Sequence, residues 1–210
     1  MNGARAGCLI IMVREPLLGR VKTRLAAEIG AAASLRFYRG VSGSLIRRLA
    51  YDRRWRAVLA VTPDRKACSR FWPRGVRRVA QGGGDLGARM ERLLRGQGHR
   101  PVVLIGSDIP EVSAAHIAEA FRLLKRNEAV FGPAADGGFW LIGLNPLPHL
   151  PGLFDGVRWS TPHALGDTLN NLSDRKVAFA AALTDVDEIS SYRRVGHLGA
   201  RSTLPAQSSS

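Results

Sequence analysis

The stretch "CLIIMVREPLLGRVKTRLA", Cys8 to Ala26, decides how this chain is read. Its apolar run, Leu9 to Val13, stops abruptly at Arg14, Glu15 and Pro16. A short apolar run ended by charge and proline predicts a buried strand that opens into a loop. "GRVKTRL" follows, Gly19 to Leu25, with Arg20, Lys22 and Arg24 alternating ahead of an alanine-rich helical segment. Glycine lets a backbone approach a ligand closely, and a helix N-terminus favours anions. Arg14, Gly19, Lys22 and Arg24 are therefore candidate ligands of a nucleotide's phosphates. The loop is not a P-loop, which needs glycine immediately before the lysine, where Val21 stands here. The competing reading is a solvated basic turn, and spacing alone does not separate the two.

Outward from this stretch, strand-like and helix-like segments alternate. "KTRLAAEIGAAASLRFYRGVSGSLIRRLA" is helical in composition, with a break expected near Gly30. Trp55–Thr62 reads as a strand stopped by Pro63, and Val76–Gln81 as a short edge strand. Leu86, Met90, Leu93 and Leu94 fall on one helix face. "PVVLIGSD" is a strand cut by Gly106. "SAAHIAEAFRLLKR" is a helix capped by Ser113, with Ile117, Ala120, Phe121 and Leu124 as its apolar stripe. "AVFGP" and "GFWLIGL" are strands. "TPHALGDTLNNL" is a helix with Thr161 as cap and Pro162 in its first position, and "KVAFAAAL" is a last strand. This alternation predicts an α/β fold, a three-layer sandwich with a mostly parallel central sheet and helices on both faces. One domain is expected over residues 8–195, and the polar tail 196–210 reads as disordered.

Composition narrows the partners. The chain has 210 residues, 45% of them hydrophobic, which is enough for a normal core. Its formal net charge is +14, carried mostly by arginine, with a dense run at Arg47, Arg48, Arg53, Arg54 and Arg56. A basic surface raises the question of nucleic acid, but no helix-turn-helix, zinc-finger or RNP signature accompanies it, so nucleic acid is not expected as a partner. Two cysteines, Cys8 and Cys68, make no disulfide framework, and the five histidines make no zinc pattern. No apolar stretch is long enough to span a membrane, and a cytoplasmic location is the expectation.

Four further segments carry chemistry. In "VVLIGSDIP", Asp108 lies just beyond a buried strand, where a carboxylate is placed to hold Mg²⁺ or Mn²⁺ against a diphosphate. The alternative is an Asx-turn before Ser113. In "GPAADGGFWLIGL", Asp136 faces an acceptor and Gly137 and Gly138 leave it room, or the three form a hairpin turn. In "QGGGDLGARM", Gly82, Gly83 and Gly87 wrap a base or diphosphate with Arg89 nearby, or form a flexible loop capped by Asp85. In "TDVDE", Asp185 and Asp187 end a strand as further carboxylates, or lie in a surface turn.

Taken in order, "REPLLGRVKTRL", "GDLGARM", "GSDIP", "GPAADGGFWLIGL" and "WSTP" resemble the motifs of bacterial DUF2064 proteins, glycosyltransferase-like members of the GT-A (nucleotide-diphospho-sugar transferase) superfamily. The resemblance runs over roughly residues 8–190. It implies a GT-A fold, a nucleotide-activated donor, a small-molecule acceptor and a divalent metal, Mg²⁺ or Mn²⁺, held by Asp108 and Asp187. On a glycosyltransferase reading the candidate catalytic residues are Lys22, Asp108 and Asp136, and the candidate acceptor contacts are Asp136, Gly137, Gly138 and Trp159. Three departures stand out: Leu18 replaces a proline, Arg14 replaces a lysine, and "DVDEISSY" lacks the family's Thr-Pro turn after Asp187. The activity this implies is glycosyl transfer from a nucleotide-diphospho-sugar. The alternative is nucleotidyl transfer from an NTP to a phosphorylated acceptor, as in the superfamily's guanylyltransferases.

Overall fold

The computed structural model describes residues 7–146 and 152–183. Asp185, Asp187 and the tail 196–210 lie outside these residues. The opening run forms β1 (Cys8–Arg14), and its β-branched and leucine side chains are buried on both faces. That double burial is why the run reads as continuously apolar rather than alternating. The helical stretch divides where expected. α1 (Thr23–Ile29) ends at Gly30, whose φ of 85° a side chain would resist, and α2 (Ala31–Leu49) begins at the next residue.

The remaining elements follow in order: β2 (Arg56–Thr62), β3 (Arg77–Ala80), α3 (Leu86–Arg95), β4 (Val102–Ile105), α4 (Ala114–Leu124), β5 (Ala129–Pro133), β6 (Phe139–Leu144), α5 (Ala164–Asn170) and β7 (Val177–Phe179). They make one seven-stranded sheet, ordered β3-β2-β1-β4-β6-β5-β7. Six strands run in one direction, and β6 alone among the described strands is antiparallel, to both β4 and β5. β3 sits at one edge, as its short and charged sequence foretells.

Two apolar cores sandwich the sheet. One joins Leu9, Ile11 and Val13 of β1 to α2 and α4; the other joins Cys8 and Ile10 to α3, Phe154 and Leu172. The stripe of α4 is fully buried, and Ser113 caps it by accepting from the His116 N–H. Two expectations need correction. α5 begins at Ala164 rather than at Pro162: Thr161 sits in a tight turn, where its hydroxyl donates to Arg158 O (2.7 Å) and accepts from the His163 N–H (3.3 Å) two residues on. Leu86 does not join the buried stripe of α3; it is 36% exposed at the rim of a cavity. Among the described residues no helix is long and apolar enough to cross a membrane.

Leu59 lies at the centre of β2 with no exposed surface and packs in the core beside α2. Leu59→Ala is expected to cost about 2–5 kcal/mol by leaving a cavity that neighbours fill only partly. Urea unfolding monitored by circular dichroism measures it.

Candidate functional site

In open α/β sheets, ligands bind beyond the carboxyl ends of strands where neighbouring connections diverge. Here that place lies between β1 and β4, because the chain leaves β1 toward β2 on one side and β4 flanks it on the other. A cavity of about 540 Å³ opens there. Arg14, Arg20, Lys22 and Arg24 from the loop after β1, and Arg89 from α3, line it together with Asp108. Met12, Leu86, Met90, Leu104 and Phe139 supply its apolar surface. Five cations thus meet one carboxylate.

The two loops touch directly. Lys22 Nζ donates to Asp108 Oδ2 at 2.8 Å, across 86 residues of sequence. Gly106 leaves room for the Asp108 carboxylate, since a Cβ there would stand 2.9 Å from Asp108 Oδ1. The Lys22 side chain is only 7% exposed and that of Asp108 37%. Ser34 of α2 holds the loop backbone from beneath, donating to Lys22 O (3.1 Å) and sharing Val21 O (3.4 Å).

Tyr38, also on α2, ties the same edge together. Its hydroxyl accepts from the Arg14 N–H (2.9 Å), donates toward Arg14 O (3.1 Å) and lies 3.2 Å from Ser107 Oγ. Burial pushes the phenol above its ordinary pKa, with the Ser107 and Arg14 hydrogen bonds opposing, so it remains a protonated donor at neutral pH. On the other flank Gln81, 2% exposed, clamps the ends of β1 and β2 by donating to Val13 O (3.2 Å) and Ala60 O (2.8 Å). Its carbonyl accepts from Arg89 NH1 (3.1 Å), and Arg89 Nε donates to Asp85 O (3.0 Å), which orients the guanidinium at the cavity wall.

Of the residues singled out by sequence, Arg14, Lys22, Arg24, Arg89 and Asp108 come together in the cavity. Gly19, Gly82, Gly83 and Gly87 are not among its described lining residues. Gly82 donates to Asp64 Oδ1 (3.1 Å), and Gly87 lets Phe154 and Trp159 pack against α3. Asp136 closes the β5–β6 turn by accepting from the Gly138 N–H (2.9 Å). Gly137, at φ 84°, lies so close to Pro162 that a Cβ would stand 2.3 Å from its carbonyl oxygen. Trp159 packs on Phe139, with ring centroids 6.2 Å apart, and so stands behind a cavity wall. Tyr38, Ser34 and Gln81 escaped the sequence reading, because a buried polar residue in a helix stripe or beside glycines gives no local signal of its partners.

Among the described residues no group of three or more His, Cys, Asp or Glu is poised to hold a metal ion. One carboxylate beside several cations that could bind phosphate is instead the donor set of a hard divalent ion held jointly by protein and phosphate. Asp108 fits that chemistry.

The model of a family described as uncharacterized proteins conserved in bacteria, DUF2064, matches residues 45–161, more than half of the chain. The chain belongs to the DUF2064 family. No curated protein matches it significantly in sequence. Among solved structures, a candidate nucleotide-diphospho-sugar transferase from Desulfovibrio desulfuricans G20 is 27% identical, with a TM-score of 0.85 over 95% of this chain and 90% of the other. That likeness extends well beyond residues 45–161 of the family match. Two more distant structures share the fold. A cytidylyltransferase from Leptospira borgpetersenii is 18% identical (TM-score 0.58; 95% of this chain, 87% of that one). Glucosyl-3-phosphoglycerate synthase from Mycobacterium tuberculosis, solved with Mn²⁺, UDP and phosphoglyceric acid, is 12% identical (TM-score 0.53; 98% and 81%). The DUF2064 chain thus has a nucleotide-diphospho-sugar transferase-like fold.

Tyr38→Phe removes the acceptor of the Arg14 N–H and the donor to Arg14 O while keeping the ring. An expected loss of about 1–3 kcal/mol follows from leaving buried polar groups unpaired. Chemical denaturation of the two proteins side by side checks this.

Proposed function

We propose that this protein is a transferase that uses a nucleotide-activated donor, and that the donor is a nucleotide-diphospho-sugar. The observation that carries the reading is the Lys22–Asp108 contact at the carboxyl ends of β1 and β4, with Arg14, Arg20, Arg24 and Arg89 around it. Likeness over nearly the whole chain to the candidate sugar transferase of D. desulfuricans supports it.

In this reading Lys22 and Arg24, assisted by Arg14, bind the diphosphate and neutralise the charge that grows on it as it leaves. An acceptor hydroxyl attacks the anomeric carbon, the bond to the diphosphate oxygen breaks, and the nucleoside diphosphate departs with the electron pair. Asp136 orients the acceptor hydroxyl or takes its proton. Met12, Leu86 and Met90 offer an apolar surface for the base or sugar. Mg²⁺ or Mn²⁺, held by Asp108, would supply Lewis-acid stabilisation of the leaving diphosphate.

The excess of cations over carboxylates in the cavity favours one second reading, nucleotidyl transfer, since an NTP brings more negative charge than a nucleotide sugar. There a phosphorylated acceptor attacks the α-phosphorus and pyrophosphate leaves. Donor preference separates the two.

Thermal melting against a panel of NTPs, NDPs and NDP-sugars, each with and without Mn²⁺, tests the proposal. A ligand at about 100 times its dissociation constant adds about 2.7 kcal/mol of stability. The expected result is a rise in melting temperature with one NDP-sugar, absent in Arg24→Ala and Asp108→Ala. A rise with NTPs alone selects nucleotidyl transfer, and no rise with any nucleotide contradicts both.

A further inference from the structure

Lys22 breaks two local rules. It is the N-cap residue of α1, a position that favours Ser, Thr, Asp or Asn because their side-chain oxygens accept an orphan N–H. An ammonium has no acceptor, and no side chain caps this helix. Its backbone is also left-handed, φ 46° and ψ 54°, where residues other than glycine are uncommon. Local rules broken in this way mark positions whose residue is set by function rather than by folding.

Among the contacts that hold Lys22 in place are Ser34 on its carbonyl and Asp108 on its ammonium. The Lys22 side chain is sunk in the wall at 7% exposure, and that of Asp108 is the more open partner at 37%. The carboxylate that suits a divalent ion is therefore already neutralised by a cation at 2.8 Å. An ammonium and a divalent ion on one carboxylate repel each other, so the two compete for it. Lysine, a compact charge on a flexible stem, can exchange partners without moving the helix it caps; a bidentate arginine would be harder to dislodge.

We propose that Lys22 is an exchangeable counter-ion that couples nucleotide binding to metal binding. Its ammonium neutralises Asp108 until a phosphate draws it away, and only then does the carboxylate become a good ligand for Mg²⁺ or Mn²⁺. The proposal rests on the reading of this cavity as a nucleotide site. By linkage, the factor by which diphosphate tightens Mn²⁺ binding equals the factor by which Mn²⁺ tightens diphosphate binding.

The experiment titrates Mn²⁺ into the full chain, following free Mn²⁺ by electron paramagnetic resonance. It compares wild type, Lys22→Met, Lys22→Gln and the double variant Lys22→Met/Asp108→Asn. Pyrophosphate serves as the base-independent probe, with Mn²⁺–pyrophosphate alone as control. Without pyrophosphate, Lys22→Met and Lys22→Gln are expected to bind Mn²⁺ at least tenfold more tightly than wild type, and the double variant to lose that gain. In wild type, pyrophosphate is expected to tighten Mn²⁺ binding at least tenfold, and this factor shrinks toward one in the folded single variants. If pyrophosphate binds wild type while Mn²⁺ affinity is the same with and without Lys22, the coupling is overturned and the nucleotide site stands. If neither pyrophosphate nor any nucleotide binds wild type, the site reading is overturned and the coupling with it.

Discussion

Parallel pairing of β1 with both β2 and β4 is the constraint on which the site depends. Ile11 stands opposite Leu59 on one side and Ile105 on the other, so the three strands end on the same edge. β4 ends at Ile105 opposite Ile11 while β1 runs on to Arg14, and the loops that follow meet although 86 residues separate Lys22 from Asp108. Three buried polar side chains keep that edge from splaying. Tyr38 joins the end of β1 to the loop after β4, Ser34 supports the Lys22 backbone, and Gln81 bridges β1 to β2 while aiming Arg89. The cavity is thus a consequence of sheet topology, and its charge is a consequence of which loops the topology brings together.

The charge itself is distributed in two ways. On the surface, Arg54 pairs with Asp52, Arg122 with Glu119, Arg158 with Asp167 and Arg175 with Glu128. Exposed pairs of this kind contribute little to stability, because water screens them and two long side chains must be held in place. Arg158 nevertheless holds the Asp167 carboxyl down to about 2 through two-pronged hydrogen bonding, which steadies the turn before α5. In the cavity, by contrast, several cations face one carboxylate across partly apolar walls, where an anion is held more strongly than in open water. The composition reports only the sum of the two populations.

Much of the fold was legible because its signals are local. The apolar run of β1, the glycine between α1 and α2, the Ser113 cap and the stripe of α4 each need only a few neighbouring residues to be read. The basic loop and Asp108 were legible as strand-end chemistry on a common edge. Their direct contact was not, since it depends on strand order. Tyr38 looks like one more residue of the α2 stripe, and Gln81 like the start of a glycine loop, because their hydrogen-bond partners are distant in sequence. The start of α5 was misplaced for a local reason: Thr161 and Pro162 form a good capping pair, but here Thr161 closes a turn, donating to Arg158 O and accepting from the His163 N–H, before the helix begins. For Asp136, the turn geometry read from "ADGG" is present, with the carboxylate bonded to the Gly138 N–H.

The central claim is that phosphate and divalent metal meet between the loops after β1 and β4. A crystal structure of the full chain with a nucleoside diphosphate and Mn²⁺, with the metal located by its anomalous signal, tests it most directly. The account predicts phosphate oxygens on Lys22 and Arg24, and the Mn²⁺ peak at Asp108 with Lys22 Nζ turned away from that carboxylate. A nucleotide bound elsewhere on the molecule, or a metal peak away from Asp108, would contradict it.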